Sequence, residues 1–599
     1  MKIVSKHPVL VGTAFLALTT AALWGCSDFL SNAATPQGTV DEGTLLTSSG
    51  VEGTLIGAYR TLDCTDATSS NWGCAASNWV WGTVAADDAY KGSDGTDQPP
   101  INDIEGYHWG TPDAETYLNN KWSIVYEGVV RANSTLRLLK KVLAASPSEF
   151  SVADAKGIEG EALFLRAYYH FEAYRMWGNI PYYTEDETDF RKANGTAADA
   201  LTAILKDLDA AIALLPTSPR NQNVGRATQW TAKAYKGRVQ MYAQQYAPAL
   251  TTLKEIVNSG PYALETSYDK VWTGFLDASN GKETIFAYEA SANDGEPNGN
   301  NANFGERLNF PYSGSHFGCC GFNQPSQNLV NFFRVGADGL PLILSDPNNW
   351  NANNGDFDKS NLAPVDPRVD WTVGRDGVPY KDWGLYNGPD GWVRDPANGG
   401  FYGPKKNAHE KASGAESSVG WQNTQLNSVN IHLFRYADLL LLLAEAEVET
   451  GDLAGARTIV NQIRARAAVT GQGPGTDVST IAVPINDPRI TWANYQIGLY
   501  PSFPDAAYAR NAVRYERRLE LAMEGQRMFD LRRWGIADVT LNAYINGVGG
   551  GAEKSSTRRL YKAGAEAFAA RHRWYPLPGI QIELSRVAGE DRLKQNPGW

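Results

Sequence analysis

Two groups of residues in this chain set flat aromatic rings among polar neighbours. Trp72, Trp79, Trp81, Asp87, Asp88, Lys91 and Trp109 form the first; Asn301, Asn303, Phe304, Arg307, Tyr312 and Phe317, followed by Trp350, form the second. An aromatic face matches the C–H face of a pyranose ring, while amide, carboxylate and cationic side chains bond its hydroxyls. Both groups lie in stretches rich in Gly, Asn and Asp, the texture of loops, and loops on a rigid scaffold commonly carry binding residues. The chemistry these residues predict is sugar binding. Packing is the competing expectation for every ring, and Trp122, Trp177, Trp371 and Trp534, which fall in more regular text, are expected to be buried.

Glycoside hydrolysis would need two carboxyl groups about 5–10 Å apart across a cleft, one with a raised pKa. Asp87 with Asp88, and Glu283 with Glu289, offer the residue type, but sequence spacing says nothing about separation in space. No G-x-S-x-G elbow, H-E-x-x-H helix or Walker loop is present. No catalytic residue is predicted, and an exported hydrolase ranks below binding. No His stands at ligand spacing beside the Cys residues, so neither a metal site nor a cofactor is predicted. The Asn/Asp/Gly-rich segment Asp346–Asp358 has residue types that can hold a structural cation, with nothing further to support one.

Lys2, Lys6 and His7 open the chain, and an uncharged apolar stretch from Val9 ends in Leu23-Trp24-Gly25-Cys26. This is the layout of a secretory signal over residues 1–25, its apolar part short for a spanning helix. The Gly-Cys junction is similar to a bacterial lipobox and predicts a palmitate-bearing diacyl anchor on Cys26, although Trp24 stands where a small or β-branched residue is usual. Leu439–Leu443 lies between Asp438 and Glu445 and reads as buried helix, not a membrane span. With Cys26 set aside, four of the 5 Cys remain, which suits an oxidising compartment. Cys64 and Cys74 can close a small loop; the adjacent Cys319 and Cys320 can bond to each other or pair elsewhere. A formal charge of -12 argues against non-specific nucleic-acid binding, which needs a basic footprint.

The elements that must hold these residues are mostly helical. A polar linker occupies 26–43, and 44–599 reads as one domain. Gly50–Leu62 is a first helix, followed by an N-terminal loop region over 63–112. Trp122, Val125, Val129, Ala132 and Leu136 recur at three- and four-residue steps along one helical face. Ile158–Met176 is apolar nearly all round, as in a helix packed on several sides, and Gly178 and Pro181 stop it. Ala197–Leu215 and Thr228–Gln245 form a further pair. Helix pairs joined by tight turns indicate a repeat scaffold, here over about 113–260, that buries its core by stacking. From about 261 to 430 the chain turns irregular, with short β-like stretches such as Glu283–Glu289. Helical text resumes at Ile431–Thr450, Leu453–Ala467 and Ala512–Trp534, giving a second scaffold part over about 431–535 and a tail over 536–599. A large loop-rich insertion thus interrupts the repeat, and it should carry the ligand.

Several motifs then occur in order along the chain. They are Tyr126–Asn133 (YEGVVRAN), Glu161–Ala167 continuing to Trp177-Gly178-Asn179-Ile180-Pro181, Gly225–Thr228 (GRAT) and Gly321–Phe332 (GFNQPSQNLVNF). Asp338–Pro341, Asp366-Pro367-Arg368, Arg435–Ala446, Val460–Arg464, Arg514–Trp534 and the ending Gln595–Trp599 follow. Together they resemble the starch-utilisation D / RagB family, with Trp177 and Trp599 replacing other aromatics. The resemblance implies a mainly α fold of tetratricopeptide-like pairs forming a right-handed scaffold, with an irregular ligand-bearing part. It further implies a lipid-anchored, surface-exposed lipoprotein of the outer membrane that binds a glycan and passes it to a TonB-dependent β-barrel transporter, without catalysis. A peptide- or protein-binding member of the same family is the alternative. The motif charges read as scaffold: Arg435 and Asp438 can pair on one helix, and Glu516, Arg517, Glu520, Glu524, Arg527 and Asp530 as pairing between helices.

Overall fold

Helices begin where the sequence supplies a cap. Thr47, Thr111, Ser151, Thr196 and Thr228 each accept a hydrogen bond from the backbone N–H three residues ahead, satisfying a donor that the first turn leaves orphaned. They open α1 (Ser48–Arg60), α2 (Pro112–Ala145), α3 (Val152–Trp177), α4 (Ala197–Leu214) and α5 (Gln229–Tyr242), and α6 (Tyr246–Ser259) follows. The computed structural model describes residues 42–64, 72–352, 363–420, 425–468, 493–546 and 564–599. The expected signal, Cys26 and nearly all of the linker lie outside the described residues.

Every residue of α3 from Glu161 to Trp177 is buried, because α1, α2 and α4 all pack on it. The helix stops at Gly178, whose φ of +67° suits glycine, and a Cβ there would stand 2.5 Å from the Trp574 ring. Consecutive helices stack in order from α1 to α6. α6 then packs on α7 (Tyr436–Thr450), across the whole insertion, and both α8 (Leu453–Ala468) and α9 (Ala506–Leu521) pack on α7. The scaffold therefore reads through the insertion as one stack of helix pairs. The leucine run Leu439–Leu443 is buried in α7.

Two helix boundaries differ from the sequence-based expectation. Ile431–Arg435 is not the start of α7 but a strand, β7, paired antiparallel with β2 (Thr284–Tyr288) in the register Tyr288↔Ile431 and Ala287↔His432. Its partner lies far away in the chain, and local periodicity cannot report it. Ala512–Trp534 is not one helix: α9 ends at Leu521 and α10 spans Arg527–Arg533, with Met523 and Gly525 at positive φ between them. A Cβ on Gly525 would fall on the Ser77 carbonyl, so this break is where the N-terminal loop region docks. That docking is completed by β1 (Ala89–Gly92), antiparallel to β3 (Phe322–Pro325). β4 (Pro364–Val365) runs parallel to β8 (Asn494–Tyr495), and β5 (Val373–Gly374) pairs antiparallel with β6 (Gly403–Pro404).

Buried ion pairs fasten the insertion to the scaffold. Arg368, wholly buried, meets Asp366, Glu516 and Glu520 at 2.7, 2.7 and 3.0 Å. Arg435 meets Glu283, Glu520 and Glu524 at 2.6, 2.8 and 2.8 Å. Glu516 is shared with Arg464 at 2.9 Å, and Glu283 and Glu520 with Arg466. The acidic ladder is thus structural. Arg435 and Asp438 do not pair with each other, because Arg435 ends β7 in extended backbone; Asp438 instead holds Arg238 and Arg517, each at 2.8 Å.

Candidate functional site

The N-terminal loop region and the insertion meet at a hairpin. Phe322 N–H donates to Leu308 O (3.1 Å) and Gly321 N–H to Phe310 O (2.8 Å), so Arg307–Phe322 doubles back on itself and continues into β3. Pairing of β3 with β1, extended by Ser93 N–H to Gly321 O (2.5 Å), ties the hairpin to the segment after Lys91. Beneath it lies a small aromatic core of Phe310, Phe317, Tyr380, Trp383, Tyr386 and Trp392, separate from the main core. The hairpin is therefore supported on a packed floor, with its turn facing outward at Ser313, Gly314 and His316.

Two predicted site residues stand half-buried on this hairpin. The Arg307 guanidinium lies 4.9 Å from the Trp72 ring and 4.6 Å from Phe304, a cation–π arrangement. Trp72 is itself placed by a short turn that the Cys64–Cys74 disulfide closes. Tyr312 lies under Arg394, 5.3 Å from its ring. Arg394 in turn bridges Asp94 and Asp97, each at 2.7 Å, and donates to Ser93 Oγ. Cys319 and Cys320 are bonded to each other near the base of the hairpin, where the Gln425 amide donates to Cys319 O. Arg394 and the Asp94/Asp97 pair were not anticipated. Nothing local in the sequence links residues so far apart.

Burial takes most of the other predicted residues out of a ligand's reach. Trp79 donates from Nε1 to Gly305 O and Trp81 to Gly73 O, and both rings are fully covered. Trp109 is packed between Tyr575 and Trp599. Lys91 is enclosed and donates to Asp94 O and Asp97 O, each at 2.6 Å. Asn303 is clamped to the Asn427 backbone, and Phe304 and Phe317 are core residues. Trp350 is half-buried against Phe332, 5.5 Å between ring centres. Asn301, also half-buried, lines a separate cavity of about 340 Å³. Trp122, Trp177 and Trp371 are buried as expected, but Trp534 keeps part of its surface.

The carboxylate pairs are committed to structure or parted. Arg527 donates to both oxygens of Asp87 (2.7 and 3.1 Å), and Arg518 donates to Asp88 (2.9 Å). Burial works to raise the Asp87 carboxyl, but the two guanidiniums outweigh it and hold it below the usual carboxylate range. Glu283 is enclosed by Arg435 and Arg466, whereas Glu289 faces a different environment. Neither pair sets an acid and a nucleophile across a cleft. A cleft of about 610 Å³ between Ala263–Lys282 and Trp371, Lys381, Asp382 and Glu410 is lined by none of the predicted site residues. Among the described residues, no group of three or more His, Cys, Asp or Glu side chains is arranged to hold a metal ion. The Asp346–Asp358 segment considered for a cation lies partly outside the described residues, from 353 onward.

A stacked-helix scaffold that presents a loop-borne polar and aromatic surface is the class of protein this architecture defines. The family model described as the SusD family matches residues 282–599, more than half of the chain, and one described as "Starch-binding associating with outer membrane" matches residues 83–241. The chain belongs to the SusD family. It is 26% identical over 483 residues to a SusD-like protein of Formosa agariphila, covering 78% of this chain and 82% of that one. Its fold is similar to that of a SusD-like carbohydrate binding protein from Bacteroides fragilis (TM-score 0.67, 22% identity, 90% of this chain and 99% of that one). It is also similar to surface glycan-binding protein A of Bacteroides thetaiotaomicron, solved in complex with laminarihexaose (TM-score 0.62, 18% identity, 92% and 99% covered).

Proposed function

We propose that this chain is a surface lipoprotein of the outer membrane that binds an oligo- or polysaccharide and passes it, uncleaved, to a TonB-dependent β-barrel transporter. The observation that carries the reading is the hairpin Arg307–Phe322, which sets half-buried Tyr312 beside the Arg394–Asp94–Asp97 cluster, with Arg307 at its other end over Trp72 and Phe304, in a chain of the SusD family. The ring offers an apolar face for a sugar, and the charged cluster offers donors and acceptors for its hydroxyls. The ion pairs already orient those groups, so little ordering is left for the ligand to impose. The relatives solved or described as glycan-binding support the ligand class.

The test is a panel of neutral and acidic polysaccharides, laminarin included, in affinity electrophoresis and calorimetry. Tyr312→Ala is expected to weaken binding about tenfold, a loss of about 1.4 kcal/mol, with an unchanged melting temperature. A wild-type chain that binds no polysaccharide of the panel would refute the reading. Among the described residues no helix is long and apolar enough to cross a membrane; the anchor in this proposal is lipid on Cys26. Cys26→Ser is expected to move the protein from the membrane pellet to the soluble fraction, and continued pelleting without lipid would count against the anchor.

A further inference from the structure

Glu289, just beyond the end of β2, carries one oxygen that is bound and one that is not. Its Oε2 accepts from Asn280 Nδ2 at 2.8 Å and from Asn430 Nδ2 at 2.9 Å. Its Oε1 is buried and has no hydrogen-bond partner. Leaving a buried acceptor unmatched costs about 1–3 kcal/mol, so this oxygen can gain by accepting from a donor outside the chain, a water or a ligand hydroxyl. Burial raises the carboxyl above its ordinary value, with the two Asn amides working in the opposite direction. Glu283, six residues earlier, shows the contrast: both of its oxygens are taken, by Arg435 and by Arg466.

The place where Glu289 stands is a junction. A cavity of about 340 Å³ reaches from α1, at Ile56 and Tyr59, to Asn301, and a second of about 250 Å³ reaches to Tyr262 and Asn280. Val224, Gly225, Arg226, Ala287 and Glu289 line both, so the two cavities adjoin at Glu289 and together form a groove. Gly225 is what keeps the groove closed down on the carboxylate, since a Cβ there would stand 2.4 Å from Glu289 Cγ. Two cations line these walls and both are engaged: Arg226 is held by Glu52 and, at 3.1 Å, by Glu161, and Arg60 donates to Cys64 O and Asn300 O at 3.2 and 2.7 Å. Asp294 adds a second carboxylate, the rest of the walls mix hydroxyl, amide, tyrosine and apolar side chains, and Ile56 and Val224 are exposed at the rim, at 53% and 64%.

We propose that this groove is a second binding site, for a neutral saccharide, in which Glu289 Oε1 takes a sugar hydroxyl and the rings of Tyr59 and Tyr262 flank the chain of sugars. A neutral polyol supplies a donor, whereas an anionic ligand would meet two acidic side chains, Glu289 and Asp294, with Arg226 already neutralised. The inference rests on the glycan reading above, but on residues the hairpin site does not use. Asn301 belongs to this groove and Arg307 to the hairpin, so the two sites lie on neighbouring parts of one segment.

Calorimetry with laminarihexaose on the full chain tests it. Wild type is expected to bind two molecules; Tyr312→Ala is expected to weaken one of the two sites about tenfold and leave the other unchanged, and Glu289→Ala to lose the other. Glu289→Gln, which keeps an oxygen for Asn280 and Asn430 but turns an amide N–H₂ toward the groove, is expected to weaken the second site about fivefold, the worth of one hydrogen bond. It also serves if the alanine variant fails to fold. A single site in wild type, or unaltered binding in both Glu289 variants, overturns the inference while leaving the glycan reading in place. No binding of laminarihexaose by wild type, together with no binding to the polysaccharide panel, overturns both.

Discussion

Replacing Arg368 by methionine is expected to lower the stability of this protein by about 3–5 kcal/mol, the usual loss when one partner of a buried ionic cluster is removed. Methionine keeps much of the side-chain volume, so packing is not the source of the loss. Its origin is the set of carboxylates left behind. Glu520 retains Arg435 and Arg466, and Glu516 retains Arg464. Asp366, however, has both its oxygens on Arg368 alone, at 2.9 and 2.7 Å, and neither residue has any exposed side-chain surface. An Asp366→Asn change in the Arg368→Met background should therefore restore part of the stability. The measurement is the urea midpoint of the three proteins, urea being uncharged and leaving the ion pairs unscreened. A shift below about 0.5 kcal/mol in Arg368→Met, the range of an ordinary surface change, would show that the cluster is not what holds the insertion.

Acid should weaken the fold through His170. The ring is fully buried in α3 and lies 3.8 Å from Tyr182 in a stacked arrangement. Nδ1 stands 3.0 Å from Arg166 O, and Tyr183 N–H donates to Nε2 at 3.1 Å. This network assigns the proton to Nδ1, and a second proton on Nε2 would point at the Tyr183 N–H. Burial accordingly pushes the pKa down to about 3. An unfolded His titrates near about 6.5, so below that pH the unfolded chain takes up a proton that the folded chain refuses. Stability is then lost as pH falls from about 6.5 toward about 3, at about 1.4 kcal/mol per pH unit. Between pH 7 and pH 4.5 the His170 contribution amounts to about 2–3 kcal/mol. His409, His432 and His572 are also held low by burial, so His170→Gln should keep a shallower slope, not a flat one. Urea midpoints at the two pH values decide the matter: equal losses in wild type and variant would remove His170 from the account.

How much of this was readable in the chain depended on how local the signal was. The capping residues Thr111, Ser151, Thr196 and Thr228 and the unbroken burial of Glu161–Trp177 are local or periodic, and the helical architecture follows from them. β7 was misread because Ile431–Arg435 is as apolar as the helix it precedes, and only its pairing with β2 makes it a strand. The break at Met523–Gly525 was hidden by the charge pattern on either side, which satisfies a helix although the backbone departs from one. For the site, residue type was a poor guide to exposure. Trp79 and Tyr312 sit in similar polar text, yet one is roofed by the β1–β3 pairing and the other lies half-open beside Arg394. The Asp94–Arg394 bridge joins segments that no window of sequence contains together.

The contact between α6 and α7 has a consequence for how such a molecule can change. The insertion leaves and returns at adjacent helices, so its length is nearly decoupled from the scaffold, closure entropy growing only with the logarithm of loop length. Loops can be lengthened, exchanged or rebuilt without moving a helix. The exception is electrical. Glu516 and Glu520 belong to the scaffold, and Arg368, one of the cations that neutralise them, is delivered by the insertion. An exchanged insertion must therefore bring Arg368 and Asp366 together or neither, since the scaffold's own Arg435, Arg464 and Arg466 still neutralise Glu516 and Glu520 while a lone Asp366 would be left buried without a cation.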